Sequence, residues 1–342
     1  MLAKHLMPSG RPAVGEKTLV VSGFDDFVLV DVTDPTNMSL VGGTYSLGDN
    51  TNSRLLGYDA TNAVLYTGDP TGDNLYSWDV SDWDNVTQLD KLTSATYYDD
   101  PRYIQYDPVQ DVILVAGDGK LTSVDVSDPS AMVRSDTELL GGSFFDGSFY
   151  PTDQVFIAST FTTIREADYS TASAITYSST SLGFGAMSSS TFSLLSPDGA
   201  TIIRAQSSAG RMDVRNRSSS YALLDSFIDS TLDDPIGMVV DWDDEVVIVL
   251  TDLGYVVTVD ISDLTNLAIL DSIYNADLVG AFSTMGVEID TEAKVVFMKF
   301  PNTPYTLWAY DYSDPTTLSL AGSVTGTAST FAGGYAMLKL WS

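Results

Sequence analysis

The chain has no cysteine and one histidine, His5, in 342 residues. Disulfides, iron–sulfur clusters, thiol catalysis, zinc sites and Ser-His-Asp chemistry therefore lack the residues to build them. Bases are scarce too: 7 Lys and 9 Arg stand against 40 Asp and 6 Glu, a net charge of −30. So few cations cannot assemble a surface for a phosphate backbone, and nucleic acid is not expected as a partner. No apolar run approaches the roughly 20 residues that span a bilayer, so membrane insertion is not expected. The opening residues, Met1 to Gly10, contain no apolar core of a signal peptide, and Sec export is not expected. No segment shows the 3.6-residue periodicity of an amphipathic helix.

The acids are spread along the whole chain, unlike a disordered acidic tail. Dispersed Asp with little Lys resembles proteins adapted to molar salt, where a Debye length of about 3 Å screens self-repulsion. With 44% hydrophobic residues the chain can nonetheless bury a large core.

One segment recurs along it. Val30-Asp31-Val32-Thr33-Asp34-Pro35 returns as Trp78-Asp79-Val80-Ser81-Asp82 and as Val124-Asp125-Val126-Ser127-Asp128-Pro129. Further copies are Val259-Asp260-Ile261-Ser262-Asp263 and Tyr310-Asp311-Tyr312-Ser313-Asp314-Pro315, with degenerate ones around Asp168 and Asp213. The anchors Asp31, Asp79, Asp125, Asp168, Asp213, Asp260 and Asp311 are spaced by 48, 46, 43, 45, 47 and 51 residues. Each period reads as four short strands of β-branched and aromatic residues separated by Asp, Gly, Asn and Pro turns. In the sixth they are Gly237–Asp241, Val246–Thr251, Tyr255–Asp260 and Leu267–Ile273. Four strands in about 46 residues is the repeat of a propeller blade.

A second Asp column, at Asp59, Asp107, Asp153, Asp198, Asp241 and Asp290, closes the first strand of each later repeat. Repeat one has no such strand, whereas the chain ends in an unassigned one, Tyr335–Trp341. Supplying it to blade one pairs edges that an unsealed ring would expose. The expected fold is all-β: a seven-bladed β-propeller over 18–342, with an N-terminal arm over 1–17. The repeated Val-Asp-Val-Ser-Asp-Pro segment resembles the LVIVD-repeat β-propellers. That resemblance implies the same fold and a frequent location outside bacterial and archaeal cells. It implies no shared catalytic residues.

Candidate functional residues are few. The anchor acids are expected to accept hydrogen bonds from their own turns rather than to ligate metal. Asp25-Asp26, Asp69 with Asp73, Asp99-Asp100, Asp233-Asp234 and Asp241 to Glu245 offer oxygen ligands for structural Ca²⁺ or Mg²⁺, without EF-hand spacing. Otherwise no cofactor is expected. Arg54 and Arg102 each precede a turn Asp by five residues, equivalent places on neighbouring blades near a channel mouth. They are candidates for binding a carboxylate, phosphate or sulfate, or for pairing with nearby acids. Tyr97, Tyr98, Phe144, Phe145 and Phe282 sit in loops entering first strands, where aromatics anchor partners or tuck between blades. Asn37, Asn85 and Asn216 begin glycosylation sequons in turns. The arm holds three bases and one acid, and Leu2, Leu6 and Met7 are expected to dock on a neighbouring subunit.

These features favour a non-enzymatic interaction propeller on a halophilic cell surface or particle, specifically a haloarchaeal virion component. Its partners would be other subunits and a host protein or glycan. The alternative is a carboxylate- or Ca²⁺-dependent glycan-processing enzyme at the channel mouth, marked by a bound metal or two facing carboxylates.

Overall fold

The short apolar runs fold as the turn residues between them dictate. A computed structural model describes residues 17–23, 26–46, 55–69, 73–82, 85–94, 101–117, 119–141, 146–150, 153–159, 163–181, 191–206, 210–279, 286–299, 305–326 and 337–340. Seven sheets each contain four antiparallel strands, named here from the inside outwards. Blade 1 comprises β28 (Met337–Lys339), β1 (Thr18–Ser22), β2 (Asp26–Asp31) and β3 (Ser39–Ser46). Blade 2 comprises β4 (Leu55–Asp59), β5 (Val64–Asp69), β6 (Asn74–Asp79) and β7 (Thr87–Thr93). Blade 3 comprises β8 (Pro101–Asp107), β9 (Val112–Gly117), β10 (Lys120–Asp125) and β11 (Val133–Leu139). Blade 4 comprises β12 (Asp146–Tyr150), β13 (Val155–Ser159), β14 (Thr163–Asp168) and β15 (Thr176–Ser181). Blade 5 comprises β16 (Thr191–Leu195), β17 (Thr201–Gln206), β18 (Arg211–Asn216) and β19 (Ala222–Ile228). Blade 6 comprises β20 (Pro235–Asp241), β21 (Val246–Thr251), β22 (Tyr255–Asp260) and β23 (Ala268–Tyr274). Blade 7 comprises β24 (Val287–Asp290), β25 (Val295–Lys299), β26 (Thr306–Asp311) and β27 (Ser319–Thr325).

The innermost strands contact one another in succession from β4 round to β28 and back to β4, which closes the ring. The C-terminal strand seals blade 1 as expected, with Leu19, Val20 and Val21 opposite Lys339, Leu338 and Met337. Helix is confined, among the described residues, to three 3-10 turns, and no helix is long and apolar enough to cross a membrane. Residues 1–16, with Leu2, Leu6 and Met7, lie outside the described residues. Lys17 belongs to the ring, for its Nζ donates to Asp290 at 2.6 Å and lies 3.3 Å from Glu292.

The core lies between blades, because each twisted sheet is apolar on both faces. Side chains alternate along every strand, so one row packs on the preceding blade and the other on the following one. At the blade 5–6 interface thirteen buried residues pack together, among them Ile203, Val214, Val247 and Val259. At the blade 4–5 interface only Ile157, Ile164, Ile202 and Tyr221 do so among the described residues.

The anchors act as turn acceptors. Asp31 takes the Thr33 N–H at 2.9 Å, Asp79 that of Ser81 at 2.9 Å, and Asp260 that of Ser262 at 2.8 Å. One anchor was misplaced by the repeat alignment. Asn216, not Asp213, ends β18 and accepts from Ser219 N at 3.1 Å, while Asp213 is buried within the strand. Asp153 and Asp198 also differ from expectation: they lie in turns beyond β12 and β16 instead of closing those strands.

At three of the seams the turn also clips its blade to the one before it. Ser77 and Thr258 hydroxyls donate to the Pro129 and Pro315 carbonyls at 2.6 Å, and Ser123 donates to Ala172. Outer-strand carboxylates add a second bond from the next blade's backbone: Met132 N to Asp90 at 2.7 Å, Ile175 N to Asp136 at 2.8 Å, Leu267 N to Asp225 at 2.8 Å and Leu318 N to Asp271 at 2.7 Å. The Asp-Pro signature is thus a fastening between blades.

Candidate active site

Most of the residues singled out from sequence fall where nothing can be said of their side chains. Arg54, Tyr97, Tyr98, Phe144, Phe145 and Phe282 lie outside the described residues. Only the backbone of Arg102 is described, at an irregularity of β8 between Pro101 and Tyr103. Asp25, Asp99 and Asp100 lie outside the described residues, and among the described ones no three acidic or imidazole side chains gather to hold a cation. Instead Asp69 accepts from Asn74 at 2.9 Å, and Asp241 from Lys294 at 2.9 Å and the Tyr312 hydroxyl at 3.0 Å. Burial opposes ionisation of Asp241, but those bonds outweigh it and hold its carboxyl below the usual range.

Ionisable groups collect instead along the seam where blade 7 meets the C-terminal strand. Glu288 lies on β24 opposite Phe297 of β25, so its side chain shares the face on which Phe297 packs against Leu19, Val21 and Met337 of blade 1. Lys339 shares the Met337 side of β28 and points back at blade 7, where its Nζ reaches the Ile289 carbonyl at 3.5 Å. Burial pushes the Glu288 carboxyl up to about 7, while the Lys339 ammonium and the backbone N–H groups of Ile289 and Lys339 pull the other way. Glu288 keeps part of its surface accessible, while protein atoms pack densely around the rest. That crowding, rather than complete removal from water, penalises the charge.

Two residues along the same face of β25, Lys299 is buried and donates to the Ser22 carbonyl across the seam. Its burial lowers the ammonium to about 7, opposed by the carboxylate of Asp26. At the other end of the seam are Lys17 and Asp290. The seam therefore holds two groups, one acid and one base, poised to exchange protons near neutrality. Among the described residues two carboxylates here, Asp290 and Glu292, share the Lys17 ammonium.

Sequence reasoning missed Glu288, Lys339 and Lys299. Glu288 stands in Val287-Glu288-Ile289-Asp290, an ordinary alternating strand. The signal available was compositional: Glu is rare here, 6 of 46 acids, and this one interrupts an innermost strand. Lys299 and Lys339 are two of seven lysines, each within an apolar strand, where a charge needs a reason.

The family model for the LVIVD repeat matches residues 16–45 and 113–136, which take in β1, β2 and nearly all of β3, and then most of β9, all of β10 and the first half of β11. The chain carries LVIVD repeats and is a seven-bladed β-propeller. No curated protein matches the sequence. Among solved structures, this LVIVD-repeat propeller is similar to a candidate 6-phosphogluconolactonase from Bacteroides uniformis ATCC 8492, with a TM-score of 0.74, 10% identity, and coverage of 95% of this chain and 100% of that one. It is similar to a second such candidate, from Bacteroides fragilis NCTC 9343, with a TM-score of 0.73, 10% identity and coverage of 97% and 99%. The periplasmic gluconolactonase PpgL of Pseudomonas aeruginosa gives a TM-score of 0.69, 13% identity and coverage of 92% and 97%. At these identities the likeness establishes the fold.

The expectation of a non-enzymatic display propeller on a virion is corrected. Functionally named neighbours of the LVIVD-repeat propeller include lactonases, and the innermost strands carry a carboxyl near neutrality beside an ammonium. Of the two function classes read from the sequence, the names these neighbours carry fall with the enzyme.

Proposed function

We propose that this propeller is a hydrolase of small sugar-derived lactones, working at the seam between blades 7 and 1. The observation that carries the reading is Glu288, a carboxyl at about 7 with Lys339 beside it. A general base is most effective when its pKa lies near the working pH. The names of the structural neighbours support the substrate class.

In this reading the Glu288 carboxylate takes a proton from water as the water oxygen bonds to the lactone carbonyl carbon. The carbonyl oxygen gains negative charge, which the Lys339 ammonium stabilises. Collapse breaks the ring C–O bond, and Glu288 returns the proton to the departing alkoxide. The product is a hydroxy acid, which ionises at neutral pH. No step needs a metal.

Proton release from glucono-1,5-lactone, corrected for spontaneous hydrolysis, tests this directly. The wild-type rate should rise as pH passes through about 7. Glu288→Gln should lower kcat by about 10²–10⁴. Lys339→Met removes a charge that favours the ionised carboxyl, so the profile should move to higher pH. A wild-type rate no faster than background, or an unaffected Glu288→Gln, would overturn the proposal.

A further inference from the structure

Two of the three glycosylation sequons differ from the third in their local structure. Asn37-Met38-Ser39 and Asn85-Val86-Thr87 occupy the same place on neighbouring blades, where the chain leaves its third strand and enters the outermost one. The Asn37 N–H donates to the Asp34 carbonyl and the Asn85 N–H to the Asp82 carbonyl, each at 3.0 Å. Ser39 and Thr87 begin β3 and β7, opposite Asp31 and Asp79. β3 and β7 are the last strands of their sheets, so their other side is an edge.

Extended backbone sends successive side chains to opposite faces. Met38 is buried in the core between blades 7 and 1, and Val86 packs on the core between blades 1 and 2. The residues that flank them, Asn37 with Ser39 and Asn85 with Thr87, are exposed. Each amide thus shares a solvent-facing side with the hydroxyl two residues on. Among the described residues no side-chain hydrogen bond engages any of the four.

The turn does not require asparagine there. Ala131 and Ala174 make the same backbone bond, to Asp128 at 3.0 Å and Thr171 at 2.9 Å, ahead of the buried Met132 and Ile175. Asparagine followed by a hydroxyl is therefore an addition to the turn and not one of its parts. The third sequon is closed upon itself. Asn216 caps the 3-10 turn Arg217–Ser219, its Oδ1 accepting the Ser219 N–H at 3.1 Å and the Ser218 hydroxyl at 2.7 Å. Arg217, between the two sequon side chains, is tied to Glu166 of blade 4.

We propose that Asn37 and Asn85 are acceptor sites for N-linked oligosaccharide and that Asn216 is not. In the transfer, the amide Nδ2 bonds to the anomeric carbon of a polyprenyl phosphate-linked oligosaccharide. The anomeric C–O bond breaks, the polyprenyl phosphate departs with the electron pair, and one amide proton passes to a base. An acceptor must offer amide and hydroxyl together from accessible backbone, as the two blade-edge sites do. The geometry is that of the folded chain, so the transfer does not depend on export in an unfolded state. Glycans at these sites would stand beside the open edges of blades 1 and 2 and hinder strand pairing with other molecules. The assignment does not depend on the lactonase reading.

The folded full chain, incubated with a single-subunit oligosaccharyltransferase and its lipid-linked donor, tests this by intact mass and peptide mapping. The product should carry two glycans, at Asn37 and Asn85. Asn216 should react about tenfold more slowly, because its cap must open first. Asn37→Ala and Asn85→Ala should each remove one glycan and leave the unfolding midpoint unchanged, since alanine fills the same place in blades 3 and 4. The chain isolated from its own cells should carry the same two glycans. Absence of transfer to both blade-edge sites, transfer to Asn216 at an equal rate, or both asparagines unmodified in the chain from its own cells would overturn the proposal.

Discussion

The interface between blades 6 and 7 and that between blades 4 and 5 occupy equivalent places in one ring, yet they cohere differently. At the first, Val246, Ile248, Leu250, Val296 and Met298 pack between the sheets, and Thr258 clips the Pro315 carbonyl. At the second, Glu166 stands where Ser77, Ser123 and Thr258 stand in their blades. A carboxylate cannot donate to a turn carbonyl. Glu166 instead takes Arg217 Nε at 3.1 Å, Arg217 Nη2 and the Tyr221 hydroxyl from blade 5. Burial opposes its charge, but these bonds prevail and hold its carboxyl below the usual range. The difference teaches that the repeat signature records the fastening. Where hydroxyl, proline and aliphatic side chains give way to ion pairs, the Val-Asp-Val-Ser-Asp-Pro pattern fades, and so does the apolar packing.

Salt should separate the two kinds of interface most strongly. Raising KCl from about 0.1 to about 3 M shortens the Debye length to about 3 Å and screens 46 acids. The unfolding midpoint should rise steeply, with hydrogen exchange showing the smallest gain around Arg217 and Glu166. A flat midpoint would remove the argument for adaptation to high salt.

Next in size is the buried cluster at Asp213, whose carboxylate lies 3.0 Å from Arg215 Nε, 3.4 Å from Arg211 Nε and 3.9 Å from Arg204 Nη1. Asp213→Ala leaves three guanidiniums without their shared carboxylate and should cost about 3–5 kcal/mol in denaturant unfolding. Thr258→Val, at the aliphatic interface, should cost only about 1 kcal/mol, the net worth of one hydrogen bond. If the two losses were equal, the distinction between the interfaces would fail.

The blade 7–1 seam gives an effect of another kind, a pH dependence. Glu288 is raised from 4.5 to about 7 on folding, so its contribution to stability falls as pH climbs between those values. Lys299 is lowered from 10.5 to about 7, so its contribution grows as pH climbs from about 7 towards 10.5. Together they should place a stability minimum near pH 7, absent from the Glu288→Gln, Lys299→Met double variant. A minimum that survives in that variant would assign it to other groups.

Much of the architecture was legible because it is periodic. Asp31, Asp79, Asp125, Asp168, Asp260 and Asp311 mark strand ends by a local requirement, a carboxylate accepting the N–H two residues on. Asn216 serves the same turn with an amide and escaped notice because Asp213 offered the commoner letter nearby. The closing strand was legible from an excess of one strand at the end and a deficit of one at the start. Glu288, Lys299 and Lys339 were not legible, since each interrupts an apolar strand at a place the repeat does not mark.

Sequence alone determined the blade number, the order of strands and the way the ring is sealed, for these follow from alternation, turn chemistry and the need to pair edges. Only the tertiary structure decided which charges meet. Glu288 and Lys339 come from different blades, and Arg204 and Asp213 from neighbouring strands. Whether a carboxyl is raised or held depends on its surroundings, and the surroundings of a buried group in a propeller come from the next blade. At the seam between blades 7 and 1 that neighbour lies at the opposite end of the chain. There Gly322 leaves room for the Pro35 carbonyl, which a Cβ would overlap. No local pattern can announce such a meeting, because its two halves come together only when the ring closes.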